Sequence, residues 1–183
     1  MENEYQEMNK KKTAVKIIAP IIIVLIVAGI WFVKDSQKTP GGEPAGGENL
    51  DFALNVTEEL DFEKLKSYGL PIMLDFGSES CPPCRAMAPT IEKLNRELQG
   101  KAIIKYMDVG EFPELADGYP ISVIPTQLFF DKDGNPYVPA DPEASQMIIY
   151  TSKDTEEHVF TAHEGGLTEE QLLGIFVEMG MEE

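Results

Sequence analysis

Cysteine is scarce in this chain, two in 183 residues, so no disulfide-rich scaffold can hold it together. Histidine is equally scarce: His158 and His163 are the only two, and 73 residues separate Cys84 from His158 where a zinc finger leaves about 12–15. Cations are few as well. Fifteen Lys and Arg stand against 32 Asp and Glu, and a net charge of -17 repels a phosphate backbone, so no nucleic acid is expected as a partner. Disorder is excluded by what is present, since nine Phe, six Tyr and one Trp are too many aromatics for an acidic chain that never folds. The length suits one ordinary domain and an appendage.

The appendage is apolar. Ile17–Val33 runs 17 residues without a charge, and a helix of that length covers roughly 26 Å of a ~30 Å hydrocarbon core. Lys16 can snorkel and so lets the helix begin near Thr13, while Trp31 suits the interface. Lys10, Lys11, Lys12 and Lys16 precede the run, whereas Lys34 and Lys38 follow it with Asp35 between them. The excess of cations before the run predicts a cytoplasmic N-terminus and an extracytoplasmic remainder, hence a single-pass cell-membrane protein. A cleaved secretory signal is the alternative, disfavoured by the length of the run and the lack of an A-x-A site. The expected organisation is a tail over 1–12, an anchor over 13–33, a tether over 34–49 and one domain over 50–183. The tether holds four Gly and two Pro in sixteen residues, which gives a root-mean-square reach of about 20–24 Å.

Within the domain, Leu50, Phe52, Leu54 and Val56 alternate as in a strand, Thr57 stands as an N-cap, and Leu60–Tyr68 reads as a helix ended by Gly69. Ile72–Phe76 is an apolar run fit for a central strand covered on both faces, with Asp75 as its anomaly. Met87, Ile91, Leu94 and Leu98 form the stripe of a helix lying on a sheet, closed by Gly100. Ala102–Val109, Thr126–Phe130 and His158–Thr161 read as further strands. Thr168-Glu169-Glu170-Gln171 is a capping-box pattern that opens a terminal helix. This order predicts an α/β sandwich with a mixed sheet. The stretch 136–154, rich in proline and ending near Met147-Ile148-Ile149-Tyr150, is set apart as an insertion with an extra strand in prospect.

Cys81-Pro82-Pro83-Cys84 falls at a strand-to-helix junction. A sulfur at a helix N-terminus meets free N–H groups and the positive end of the dipole, which favour its thiolate. A second sulfur three residues on, in the same turn, can attack a mixed disulfide formed at the first. The two prolines remove backbone donors and so alter the redox potential, in a direction the residues alone leave open. A structural bridge remains an alternative, though so short a loop constrains the unfolded chain little.

Leu74-Asp75-Phe76 before Cys81-Pro82-Pro83-Cys84-Arg85, with Ala88-Pro89 after it, resembles the thioredoxin family over about Leu50–Met179. Ile124-Pro125-Thr126 is similar to that family's cis-proline loop, and Gly165-Gly166 to its late glycine turn. The resemblance implies a three-layer sandwich with a central mixed β-sheet, here preceded by one transmembrane helix. It implies that Cys81 is the nucleophile and Cys84 the resolving thiol, with Pro125 a cis residue facing the disulfide. Ile124, Thr126, Pro82 and Pro83 are expected to meet the substrate. Asp75 matches the family's buried carboxylate, which relays a proton for Cys84; the alternative is a solvated Asp75 at the strand's end, and Lys105 is a candidate partner for it. Ser80 stands where the family commonly has Trp, and Pro82-Pro83 replaces Gly-Pro.

The expectation is a membrane-tethered, extracytoplasmic thiol–disulfide oxidoreductase that needs no cofactor or metal beyond a redox-active Cys81–Cys84 disulfide. The residue before the cis-proline is similar to reducing members, which favours reduction of protein disulfides, supplied by a thiol-electron donor in the membrane. A disulfide-forming oxidant and a non-catalytic redox-sensing binding module are the alternatives. Residues 34–183 hold 11 basic and 29 acidic side chains, which reads first as a solvated surface and second as a means of steering basic partners.

Overall fold

The computed structural model describes residues 50–182. The expected tail, anchor and tether lie outside them, and among the described residues no helix is long and apolar enough to cross a membrane. Six strands form one mixed sheet: β1 (Asn55–Val56), β2 (Ile72–Gly77), β3 (Ile103–Asp108), β4 (Thr126–Phe130), β5 (Met147–Thr151) and β6 (His158–Glu164). Their spatial order is β1-β3-β2-β4-β6-β5. β3 pairs in parallel with β1 and β2, and the pairs β2–β4, β4–β6 and β6–β5 are antiparallel.

Helices α2 (Pro82–Glu97) and α3 (Glu169–Glu178) cover one face of the sheet; the short α1 (Phe62–Lys66) belongs to the other. Strand alternation sorts the core between them. Met73 of β2 and Phe129 of β4 meet Met87, Ile91 and Leu94 of α2 and Leu172 and Phe176 of α3. Ile72, Leu74 and Phe76 point the other way, toward Leu65, Met107, Leu115, Leu128 and Phe130. All six residues of β2 are buried, as a central strand with both faces covered requires. Thr168 caps α3 and exchanges hydrogen bonds with Gln171, the reciprocal box its sequence implied.

Two expectations at the start of the domain need correction. The alternation from Leu50 to Val56 does not make one strand: Leu50–Phe52 is a 3-10 turn, and only Asn55–Val56 pairs with β3. The cause is Lys105, whose ammonium draws in the carbonyls of Ala53 at 2.6 Å and Leu50 at 3.4 Å. Helix α1 is shorter than Leu60–Tyr68, and its cap is Asp61 rather than Thr57, because the Asp61 carboxylate accepts from Lys64 N at 3.0 Å. The proline-rich stretch does deliver an extra strand. β5 occupies the sheet edge beside β6, with Met147 buried and Ile148 and Ile149 facing solvent.

Candidate functional site

β2 ends at Gly77, and the chain turns through Ser78–Ser80 to Cys81, whose N–H donates to the Ser78 carbonyl at 3.0 Å. Cys81 is the N-cap of α2, and Cys81 and Cys84 are joined as a disulfide with Cα atoms 5.3 Å apart. Cys81 is half-buried and Cys84 is 6% exposed, so one sulfur is open to a partner and the other is sheltered behind it. Pro82 and Pro83 fill the first two helical positions, where a missing N–H leaves no hydrogen bond of the helix unmade. The first helical N–H is therefore that of Cys84, which donates to Cys81 Sγ at 3.3 Å.

The Ile124–Pro125 peptide is cis, and the Ile124 carbonyl oxygen lies 3.8 Å from Cys81 Sγ. Two bonds hold this loop. Thr126 Oγ1 donates to the Val123 carbonyl at 2.8 Å, and Gly165 N donates to the Pro125 carbonyl at 2.8 Å. Gly165 has φ +106°, a conformation that favours glycine, so the late Gly-Gly turn doubles as a brace for the proline loop. The expected substrate contacts divide by exposure. Pro82 and Pro83 are exposed and Ile124 half-buried beside them, whereas the Thr126 side chain is turned inward and spent on Val123.

Asp75 lies one pleat below Gly77 on the same face of β2, about 6.6 Å along the strand. A methyl group at Gly77 would come within 3.4 Å of Cys84 Cβ and 2.8 Å of Tyr106 Cε2, so the strand passes directly beneath the second cysteine. Asp75 is buried, not solvated. Burial raises its carboxyl to about 7, with the Gln127 amide, which donates to Oδ1 at 2.9 Å, pulling the other way.

Lys105 is not its partner. It pairs in register with Leu74, so it projects from the opposite face, where burial lowers its ammonium to about 8. The residue beside Asp75 on β3 is Tyr106, whose phenol is raised above its ordinary range by burial and by Asp108 and Asp75. Gln127 in turn meets His163, Nδ1 to Oε1 3.3 Å. Neither Gln127 nor His163 was singled out with Asp75 from the sequence. The available signal was the one Asp75 itself gave, a polar residue inside a strand covered on both faces.

Among the described residues no cluster of His, Cys, Asp and Glu could hold a metal ion. A cavity of about 920 Å³ walled by Phe62, Tyr119, Phe130 and Phe160 involves none of the residues around the disulfide. The site thus comprises a reachable sulfur, a sheltered sulfur one helical turn away, and a buried carboxyl that changes charge near neutrality. Such a set can pass two electrons and a proton by thiol–disulfide exchange.

Comparison with known proteins agrees. The thioredoxin family model matches residues 53–150. The chain is 37% identical over 78 residues to a thioredoxin of Rickettsia bellii, a span of 43% of this chain and 74% of that protein. It is 38% identical over 84 residues to a thioredoxin of Staphylococcus aureus, 46% of this chain and 79% of that one. Among solved structures, Fasciola hepatica thioredoxin aligns at 26% identity with a TM-score of 0.44, covering 65% of this chain and 91% of its own. Chloroplastic thioredoxin z aligns at 21% identity with a TM-score of 0.44, over 69% and 92%.

Proposed function

Since the chain belongs to the thioredoxin family and is a thiol–disulfide oxidoreductase, we propose that it works as a membrane-tethered, extracytoplasmic reductase of protein disulfides. The observation that carries the chemistry is the half-buried Cys81 sulfur capping α2, with buried Cys84 in the same turn and the cis-proline loop against it. In the reduced enzyme the Cys81 thiolate attacks one sulfur of a substrate disulfide. That S–S bond breaks, the other substrate sulfur leaves as a thiolate, and a mixed disulfide remains on Cys81. Cys84 then yields its proton to the Asp75 carboxylate, and its thiolate attacks Cys81 Sγ. The second substrate sulfur leaves and takes up a proton, so two electrons have passed to the substrate and the enzyme holds the Cys81–Cys84 disulfide. A membrane dithiol donor restores it. Pro82, Pro83, Ile124 and the main chain around Pro125 and Thr126 form the docking surface.

Direction follows from how firmly the Cys81 thiolate is held. A stabilised thiolate stabilises the reduced protein and makes an oxidant. With prolines at the first two helical positions, one helix N–H reaches the sulfur, which supports a reductant. The tether rests on sequence: an uncharged run over Ile17–Val33, with lysines concentrated before it.

Insulin reduction driven by dithiothreitol tests the chemistry; Cys81→Ser should abolish it, and equal activity would discard the enzymatic reading. Equilibration with glutathione tests direction. A potential near -270 mV suits a reductant, and one near -120 mV would reverse the assignment to an oxidant. Alkaline phosphatase fused after Glu183 should be active only if the domain is exported, and an inactive fusion would refute the orientation.

A further inference from the structure

The resolving step requires a buried carboxylate held in one orientation beneath Cys84, and the register of the sheet shows what holds it. One row of side chains crosses four strands on the α2 face: Tyr106 on β3, Asp75 on β2, Gln127 on β4 and His163 on β6. Gln127 is fully buried, and its amide spans the gap between the two ionisable groups. Nε2 donates to Asp75 Oδ1 at 2.9 Å, and Oε1 faces His163 Nδ1 at 3.3 Å.

An amide oxygen only accepts, so Nδ1 carries the hydrogen and donates. Were the amide turned over, its oxygen would oppose the carboxylate oxygen in a buried setting, leaving two acceptors without a donor between them. A hydrogen on Nδ1 opposes that reversal from the other end, because the turned amide would set its own N–H groups against the Nδ1–H. Burial lowers the tendency of His163 to charge, while a hydrogen bond to the Gly165 backbone and the nearby Glu164 raise it.

We propose that Gln127 and His163 are positioning residues of the disulfide exchange: His163 fixes the Gln127 amide, and the fixed amide holds the Asp75 carboxylate in the orientation that accepts the Cys84 proton. This rests on the reading of Asp75 as that proton's acceptor. The proton moves from Cys84 Sγ to the Asp75 carboxylate, and no electron moves until the Cys84 thiolate attacks. Beyond Tyr106 in the row itself, the ionisable groups near it are Cys84 from α2 at the Asp75 end, Asp108 and Glu79 acting on Tyr106, and Glu164 beside the ring. Lys105 projects from the opposite face.

The test follows the Asp75 carboxyl carbon by 13C NMR across pH in the oxidised, detergent-solubilised full chain, and in parallel the pH profile of mixed-disulfide release. Gln127→Leu removes the donor and should raise the Asp75 midpoint by about one unit or more. The pH limb of release should move by the same amount. His163→Leu should shift both in the same direction by less. His163→Asn, whose amide nitrogen overlays Nδ1, should return both to wild-type values. An unmoved midpoint in Gln127→Leu, or His163→Leu and His163→Asn behaving alike, would overturn the inference alone. If Gln127→Leu does not fold, the His163 pair decides. A midpoint that moves while the release limb stays still overturns the reading of Asp75 as proton acceptor, and the positioning role with it.

Discussion

Replacing Pro83 with alanine restores a backbone N–H at the second position of α2, one of the two from which an N-cap side chain accepts a hydrogen bond. The other is the Cys84 N–H, already directed at Cys81 Sγ at 3.3 Å. A hydrogen bond to a charged acceptor contributes about 1.5–3 kcal/mol, and the half-exposed sulfur argues for the lower end, about 1.5. That lowers the Cys81 pKa by about one unit. It also stabilises the reduced protein relative to the disulfide, which makes the protein more oxidising by about 30 mV. The magnitude depends on pH, because only the thiolate feels the new bond. The full change in potential is reached at high pH and vanishes where Cys81 is protonated. Thiolate absorbance at 240 nm gives the pKa, and equilibration with glutathione at high and low pH gives the potential. Pro82→Ala is the control: it too removes a proline ring from the loop, but it adds its N–H at the first position, which the cap does not use. An unchanged or raised Cys81 pKa in Pro83→Ala, or equal shifts in the two variants, would refute the claim that the prolines act by withholding a donor.

Asp75→Asn should slow release of the mixed disulfide and flatten its pH limb near 7, read as a trapped Cys81 adduct in single-turnover assays. The same variant should alter stability: with Asp75 raised from 3.8 to about 7, the native state keeps a proton the unfolded chain has lost, so wild-type stability falls as pH rises between those values. Over roughly three units this amounts to about 4 kcal/mol, and urea midpoints at pH 4 and pH 8 should differ in the wild type by correspondingly more than in Asp75→Asn. Lys105→Met should leave the pH limb of exchange in place, because Lys105 lies on the opposite face, and a shifted limb would restore it as Asp75's partner. With its ammonium lowered to about 8 from 10.5, Lys105 makes wild-type stability rise with pH between those values, and denaturation of Lys105→Met should lack that rise. Gly77→Ala places a methyl group 2.8 Å from Tyr106 Cε2 and 3.4 Å from Cys84 Cβ; a destabilisation of about 1–3 kcal/mol is expected, together with slower resolution, and an indifferent variant would show that the contact beneath Cys84 is slack.

What could be read from the sequence, and what could not, divides along a physical line. Cys81 and Cys84, the stripe of α2, the capping box at Thr168 and the apolar run of β2 are local patterns, and each is found where its period or spacing placed it. Lys105 and Gln127 depend on register across strands far apart in the chain. Lys105 looked like a partner for Asp75 because it is a cation in the neighbouring strand. Its pairing with Leu74 instead of Asp75 shifts it by one residue, and in a sheet one residue is the difference between the two faces. The same lysine bends Leu50–Ala53 out of the strand their alternation implied, since two carbonyls turn toward a buried ammonium. Gln127 and Asp75 are both polar interruptions of buried strands, each costly without a partner. Read together, two such interruptions in adjacent central strands imply that each satisfies the other, and the antiparallel register of β2 and β4 brings them opposite one another. A polar residue inside a covered strand is therefore better treated as half of a pair, with its other half sought in the strand next to it.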